Sequence, residues 1–321
     1  MDIQASGPLV IRLCNWVGEV VLSIPSFKRL ALAGYELHLF GKSWAPQLLE
    51  GTGWPVRVRP AGFAAAIRSL RELRAELGVS APRALLMTKS LSSALEARCA
   101  GLRPAGYAYD GRSLLLNAAY PLPKFKHASH TYWHLAGCLL RTPARAGVPV
   151  GPEVPYPTEV NFLPSASQQT RALALLQSVG LKVGQFALFC PFSGADDREH
   201  RKVWPGFAAL AKGLAAHGVP VAICPGPGEE AIARVTLPQA LPLNDIDLGV
   251  YAALLKFARV VVANDTGPGH LAAAVGANLV SIYGPYSVAF WQPLGSKVHL
   301  LGDLNTWPTV EQVTAAALEV R

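Results

Sequence analysis

Several stretches of this chain put reactive side chains where an apolar run gives way to a helical one. In VVVANDTGPGHLAAAVGA, residues 260–277, an apolar run stops at Asn264-Asp265-Thr266. It passes through Gly267-Pro268-Gly269 and enters an Ala-rich segment behind His270. The pattern reads as a buried strand, a tight turn and a helix start. Unpaired N–H groups at a helix start attract anions, and glycines let a phosphate approach the main chain closely. Pro268 has no N–H but suits a first helical turn, and His270 could donate to a phosphate oxygen. The same residues also fit a plain N-cap, with Asp265 or Thr266 satisfying helix amides and His270 on the surface.

A second such stretch is VIRLCNWVGEVVLSIPSFKRL, residues 10–30, where Gly18 begins the turn and Glu19 stands at the helix start. A carboxylate there stabilises the helix dipole. It could equally serve as general base for a hydroxyl nucleophile within hydrogen-bond reach. In FCPFSGADDREHRKVWPGFAAL, residues 189–210, a strand ends near Pro191 and Trp204-Pro205 introduces a helix. Lys202, beside Arg201, could neutralise a phosphate or belong to a solvated charge run. In VAICPGPGEEAIARV, residues 221–235, a Gly-x-Gly-x-x-Ala match imitates a dinucleotide fingerprint. It lies too late in the chain, and Asp245 and Asp247 sit in a Pro-flanked loop and not at a strand end. FGKSW (40–44) imitates a phosphate-binding loop, but Glu36 stands where that motif requires glycine. His127, His130 and His134 fall on an amphipathic helix without sharing one face or a neighbouring carboxylate, so a metal site is not expected. No Ser-His-Asp or Cys-His arrangement has sequence support.

The elements that must position these residues alternate. Strands are expected at 9–14, 36–40 and 84–87 in the first half, and at 186–190, 219–224, 260–263 and 279–283 in the second. Helices are expected at 20–33, 64–77, 206–216 and 270–275. Strands separated by helices imply parallel sheets covered on both faces, with ligands beyond the carboxyl ends of the strands. A stretch with six prolines, residues 141–164, reads as a linker, so two α/β domains, 1–155 and 156–321, are expected to face a central cleft.

Composition narrows the class. With 51% hydrophobic and 16% charged residues among 321, the chain is globular and not disordered. Five scattered cysteines without a CxxC suit free thiols in a reducing compartment. The opening MDIQASGPLVIRL lacks a basic segment before a long apolar core, so no signal peptide is expected. Residues 271–296 carry no charge, but Gly276, Asn278, Gly284, Pro285, Gln292 and Pro293 break them into helix, strand and loop. Residues 1–150 hold 18 Lys and Arg against 8 Asp and Glu, a balance of +10, whereas residues 151–321 balance at −2. Either the first half meets something anionic, a phosphorylated substrate or an acidic membrane, or its basic surface merely aids solubility.

Together, these turns resemble the heptosyltransferases of lipopolysaccharide core synthesis, glycosyltransferase family nine. VIRLCNWVGEVVLSIPSFKRL resembles that family's opening strand, turn and first helix, with Asn15-Trp16-Val17-Gly18 nearer the second heptosyltransferase type. RKVWP resembles its Lys-x-Trp-Pro motif, CPGPGEEA its sugar-nucleotide loop, and NDTGPGHLAAAVGANLVSIYGP its most distinctive signature. The resemblance implies an α/β GT-B fold of two Rossmann-like domains, the first holding the acceptor and the second the donor. It makes Glu19 the catalytic base and puts Asn15 and Gly18 on the acceptor side. Lys202 then lies near the donor phosphates, Glu229 grips the nucleotide ribose, and Asp265, Thr266, Gly267 and His270 surround the diphosphate and sugar, with Ser193 on the same donor side. The co-substrate implied is a nucleotide-diphosphate sugar, ADP-heptose, with no further cofactor, no metal and no nucleic acid. The acceptor implied is an anionic lipopolysaccharide core, met by a cytoplasmic protein peripheral to the inner membrane. Glu19 departs from the family's usual Asp by one methylene, and Gly269 stands where a bulkier residue is common.

Two other readings keep the fold. One changes the reaction to sugar-nucleotide epimerisation or hydrolysis, which would need further acid and base residues. The other is a non-catalytic GT-B protein that binds a sugar nucleotide or a glycan without turnover.

Overall fold

The computed structural model describes residues 7–142, 155–192 and 203–319. The chain divides into two compact units. Residues up to 49 with 53–157 form the first, and 50–52 with 158 onward form the second. The short segment counts with the second unit because the Glu50 carboxylate accepts hydrogen bonds from Ser165 Oγ (2.7 Å), Ser167 Oγ (2.7 Å) and Gln168 Nε2 (3.2 Å).

In the first unit, the elements run β1 (Gly7–Arg12), α1 (Val17–Leu32), β2 (Tyr35–Gly41), α2 (Ala45–Leu49), β3 (Val56–Val58), α3 (Phe63–Glu76), β4 (Arg83–Leu86), α4 (Leu91–Cys99), β5 (Arg103–Tyr107), β6 (Ala118–Tyr120) and α5 (Ala128–Arg141). In the second they run α6 (Ala166–Ser178), β7 (Ala187–Cys190), α7 (Phe207–Ala216), β8 (Val221–Ile223), α8 (Glu230–Thr236), β9 (Leu241–Pro242), α9 (Leu248–Phe257), β10 (Val260–Asn264), α10 (Gly267–Ala274), β11 (Leu279–Ile282), β12 (Val298–Leu301) and α11 (Val310–Glu319).

Each unit builds one six-stranded sheet, ordered β3-β2-β1-β4-β5-β6 in the first and β12-β11-β10-β7-β8-β9 in the second. Every strand pair is parallel. Numbered within its own unit, each sheet has the order 3-2-1-4-5-6 of doubly wound dinucleotide folds. The strand order reverses between β1 and β4 in one sheet and between β7 and β10 in the other. A ligand crevice opens at such a reversal because the flanking crossovers leave toward opposite faces.

The central strands are apolar throughout because helices cover both faces. Val260 to Asn264 and Ala187 to Cys190 are all buried. One side of the second sheet packs Phe189, Val262 and Ile282 against Trp204, Phe207 and Leu214. In the first, Val10, Phe40 and Leu86 pack against Leu70, Leu73 and Ala97.

The expected strands and helices are present, with bounds that shift by up to three residues: β1 runs two residues earlier than expected, β8 starts two later, and two helices start three earlier. The first helix begins at Val17 and not at 20, so Glu19 is its third residue. The helix after β10 begins at Gly267 and not at 270, directly behind Thr266, whose backbone is extended. Among the described residues, no helix is long and apolar enough to cross a membrane. The uncharged stretch 271–296 is shared by α10, β11 and the loop after it.

Candidate active site

In the first unit, chemistry collects where β1 meets α1. Strand β1 is central, flanked by β2 and β4, and it ends at Arg12. Buried Leu13 and Cys14 and exposed Asn15 and Trp16 carry the chain into α1. Gly18 is buried in the first turn of α1, and Glu19 follows it there.

Glu19 is half-buried, and its Oε1 accepts a hydrogen bond from the Tyr132 hydroxyl at 3.1 Å. Burial raises the Glu19 carboxyl above the usual carboxylate range, and three contacts pull it back: the Tyr132 hydroxyl, the nearby Lys89 ammonium and the Trp16 amide. The Trp16 amide bond is that of an ordinary helix start, in which a third-position Glu reaches back to the capping residue. Burial and Tyr132 go beyond it. A carboxylate made more basic by desolvation and fixed by a neutral donor is suited to take a proton from a hydroxyl.

Arg12 is a residue that the sequence analysis passed over. It is buried at the end of β1, donates to the Leu13 carbonyl, and holds Asn15 Oδ1 at 3.0 Å through Nη2. Its Nε has no hydrogen-bond partner among the described residues. Burial, and then the charge of Arg59, depress its basicity. Arg59 forks onto Glu96 at 3.1 and 2.5 Å. The available signal was one arginine inside an otherwise apolar strand end, VIRLC.

In the second unit, the corresponding turns follow β7 and β10. The register pairs Ala263 with Cys190, so the two carboxyl ends lie flush. Asn264 is fully buried at the end of β10. Its Oδ1 accepts from the Trp204 amide at 3.1 Å, and its Nδ2 donates to the Pro191 carbonyl at 2.6 Å. One side chain thus ties the segment after β7 and the Trp204 turn to the first residue of the Asn-Asp-Thr-Gly sequence. Trp204 is buried, and its indole N–H donates to the Pro308 carbonyl at 2.9 Å.

Thr266 is the N-cap of α10, but its side chain caps no helix amide; its hydroxyl donates instead to the Asn264 carbonyl at 3.4 Å. The plain side-chain N-cap expected as the alternative is therefore not formed by Thr266. Main-chain amides of Gly269 (3.1 Å) and His270 (3.4 Å) both turn onto the Thr266 carbonyl. A Cβ at Gly269 would approach the Asn264 carbonyl oxygen to 3.3 Å, so the tightness of the turn favours glycine there. Asp265 is buried with its charge facing Tyr286, whose phenol is raised by burial first and by Asp265 second. His270 is buried and not on the surface as the cap alternative supposed, because α10 turns this face onto the rest of its unit.

Glu229 caps α8 beyond β8. Its Oε2 accepts the Gly226 amide at 2.8 Å, closing the glycine turn. Ser193 and Lys202 lie outside the described residues. The three histidines of 127–134 have separate duties. His127 caps α5 by accepting the Ser129 amide, His130 stacks on Tyr156, and His134 stacks on Tyr107.

Residues 68–319 match the model of glycosyltransferase family 9 (heptosyltransferase). The chain belongs to that family. It is a glycosyltransferase with the GT-B fold, as the four sequence segments implied. The lipooligosaccharide heptosyltransferase 2 of Haemophilus influenzae is 26% identical over 325 residues, covering 94% of this chain and 88% of the relative. The lipopolysaccharide heptosyltransferase 3 of Escherichia coli is 28% identical over 127 residues, and this match spans only 36% of the chain and 37% of that relative. Among solved structures, the E. coli ADP-heptose lipopolysaccharide heptosyltransferase II superposes with a TM-score of 0.77 at 21% identity, covering 97% of this chain and 99% of that one.

Proposed function

We propose that this glycosyltransferase moves a heptose from ADP-heptose to a hydroxyl of an anionic lipopolysaccharide core, inverting the anomeric carbon. The acceptor oxygen bonds to that carbon as Glu19 takes the hydroxyl proton. The bond from the carbon to the diphosphate breaks, and the nucleoside diphosphate departs with the electron pair. The N-terminus of α10 and Lys202 stabilise the charge that grows on the leaving group. Glu229, with Oε2 occupied by Gly226, offers its other oxygen to a ribose hydroxyl. Asn15, oriented by Arg12, sits on the acceptor side with Gly18.

The observation that carries this reading is the setting of Glu19. It is a half-buried carboxylate of raised basicity at the carboxyl end of the central strand, where the sheet order reverses. Heptose as the sugar is supported by the family, and ADP as the nucleotide by the ADP-heptose named for the similar E. coli enzyme. The lipopolysaccharide and lipooligosaccharide in the relatives' names support a core acceptor. The +10 balance of residues 1–150 supports contact with a phosphorylated core and with the anionic inner face of the membrane that carries it.

The test is Glu19→Gln, which keeps size and polarity and removes the proton acceptor. Turnover with ADP-heptose and a truncated core acceptor should fall by roughly 10²–10⁴-fold while donor affinity stays within about twofold. Wild-type turnover in this variant would remove Glu19 from the chemistry.

A further inference from the structure

We propose that Tyr132 is the positioning residue for the general base, its hydroxyl fixing the Glu19 carboxylate through Oε1 so that the remaining lone pairs meet the acceptor hydroxyl. The proposal rests on Glu19 being the base. Tyr132 lies on α5, which packs along α1, and only 4% of it is exposed. Its hydroxyl is 3.1 Å from Glu19 Oε1, within hydrogen-bond reach and longer than the usual hydroxyl–oxygen bond of about 2.7–2.8 Å. Among the groups on this carboxylate, Tyr132 is the side-chain hydrogen-bond donor; the Trp16 contact is main-chain and the Lys89 contact is charge alone.

The environment keeps that donor a donor. Tyr132 lies against Cys14 as well as Glu19, and burial first, then these two neighbours, hold its phenol well above the ordinary tyrosine range. Cys14 is fully buried at the end of β1, its thiol donates to the Met87 carbonyl at 3.5 Å, and burial pushes it up too, so it stays a neutral thiol. A Tyr hydroxyl has one proton and can give it to one acceptor. With Cys14 neutral and Glu19 ionised, the carboxylate is the stronger acceptor and takes it. An ionised carboxylate has about four lone-pair sites, so the bonds from Tyr132 and Trp16 leave room for the incoming hydroxyl.

This arrangement does two things for a base. It removes the rotational freedom of a Glu side chain, which otherwise sweeps its carboxylate over several ångströms. It also sets the pH at which the base becomes available. The groups facing Glu19 are Lys89 beyond β4, Tyr132 on α5, Cys14 beyond β1 and the Trp16 amide at the start of α1. Arg12 acts on the same cluster through Cys14. Desolvation raises the carboxyl, and Tyr132 is the largest of the influences that lower it.

Tyr132→Phe keeps the ring and removes only the hydroxyl. Its kcat should fall by roughly tenfold to a hundredfold, as expected when a reacting group is misplaced by a fraction of an ångström to an ångström, with the donor KM unchanged. The acid limb of the pH–rate profile should move to higher pH, because a donor to the charged form is gone. A side chain that served packing alone would not move that limb. Tyr132→3-fluorotyrosine keeps both ring and hydroxyl and makes the phenol a stronger donor, so its limb should move to lower pH, and this variant serves if the Phe protein folds poorly. In a Glu19→Asp background the carboxylate is one methylene shorter and withdrawn from α5, so Tyr132→Phe should no longer shift the limb. An acid limb unmoved in the Phe and fluorotyrosine proteins, with kcat within about twofold of wild type, overturns the proposal while Glu19→Gln remains inactive. Full activity of Glu19→Gln marks the different failure, that of the base assignment itself.

Discussion

Replacing Asn264 with Ala probes the joint on which the second unit's turn depends. The side chain is completely buried and serves two main-chain groups, the Trp204 amide at 3.1 Å and the Pro191 carbonyl at 2.6 Å. Alanine satisfies neither. Each main-chain group left buried without a partner costs about 1–3 kcal/mol, so the variant should lose about 2–6 kcal/mol of stability in this unit. For a unit of this size the urea dependence is about 2 kcal/mol per molar, which places the unfolding midpoint roughly 1–3 M lower. The assay is urea unfolding followed by tryptophan fluorescence, paired with calorimetric titration of ADP. Affinity should weaken as well, because the segments after β7 and β10 lose their shared anchor. Asn264→Asp supplies the control. Its carboxylate still accepts from Trp204 but opposes the Pro191 carbonyl, so its pKa is raised. The stability of this variant should therefore be greatest at low pH, where a protonated oxygen donates to Pro191, and should decline as pH rises through the raised value. A midpoint within about 0.5 M of wild type for the Ala protein, under about 1 kcal/mol, would refute the account of these two hydrogen bonds.

Three further outcomes are expected. Glu19→Gln should be more stable than wild type at neutral pH. The raised carboxyl contributes stability that is complete below its unfolded pKa and is lost as pH climbs through the folded value, so the gain should fade as pH falls below the usual carboxylate range. Thermal melts between about pH 4 and 8 read this directly, and a wild type that is the more stable protein at pH 7 would contradict the desolvation of Glu19. Asp265→Ala should reduce turnover while leaving the urea midpoint of the first unit unchanged, and unchanged turnover and ADP affinity together would remove Asp265 from the donor turn. Binding to core acceptor or to vesicles of anionic lipid should weaken steeply with added salt, because the Debye length shortens to about 10 Å at 0.1 M. Binding that is flat from low to moderate salt would mean that the basic balance of the first half does not meet the acceptor.

Much of the fold is local in origin and could be read without coordinates. The run VVVAN demands burial on both faces, Gly-Pro-Gly can turn and start a helix, and the same grammar after VIRLC put Glu19 in a first helical turn. The short strands β3, β6 and β9, of two or three residues, carry no such signal. They exist because a longer neighbour offers them a ladder of hydrogen bonds, which no pattern within VRV or LP records. The parallel order of each sheet likewise follows from which strand each crossover lands beside.

The partners of polar atoms belong wholly to tertiary structure. Tyr132 is 113 residues from Glu19, and Asn264 is 60 and 73 residues from the groups that it joins. Tyr132 is a buried residue of α5, and its neighbours along the chain cannot distinguish a packing ring from one that fixes a carboxylate. Likewise, His270 in isolation suits surface or core, and the packing of α10 decides for the core. The sequence by itself determined where carboxylates and glycine turns would stand along the strands, since those depend on side-chain period and backbone sterics over a few residues. Only the folded chain decided which hydroxyl or amide meets each of them, because hydrogen bonds act over about 3 Å in space and are blind to distance along the sequence.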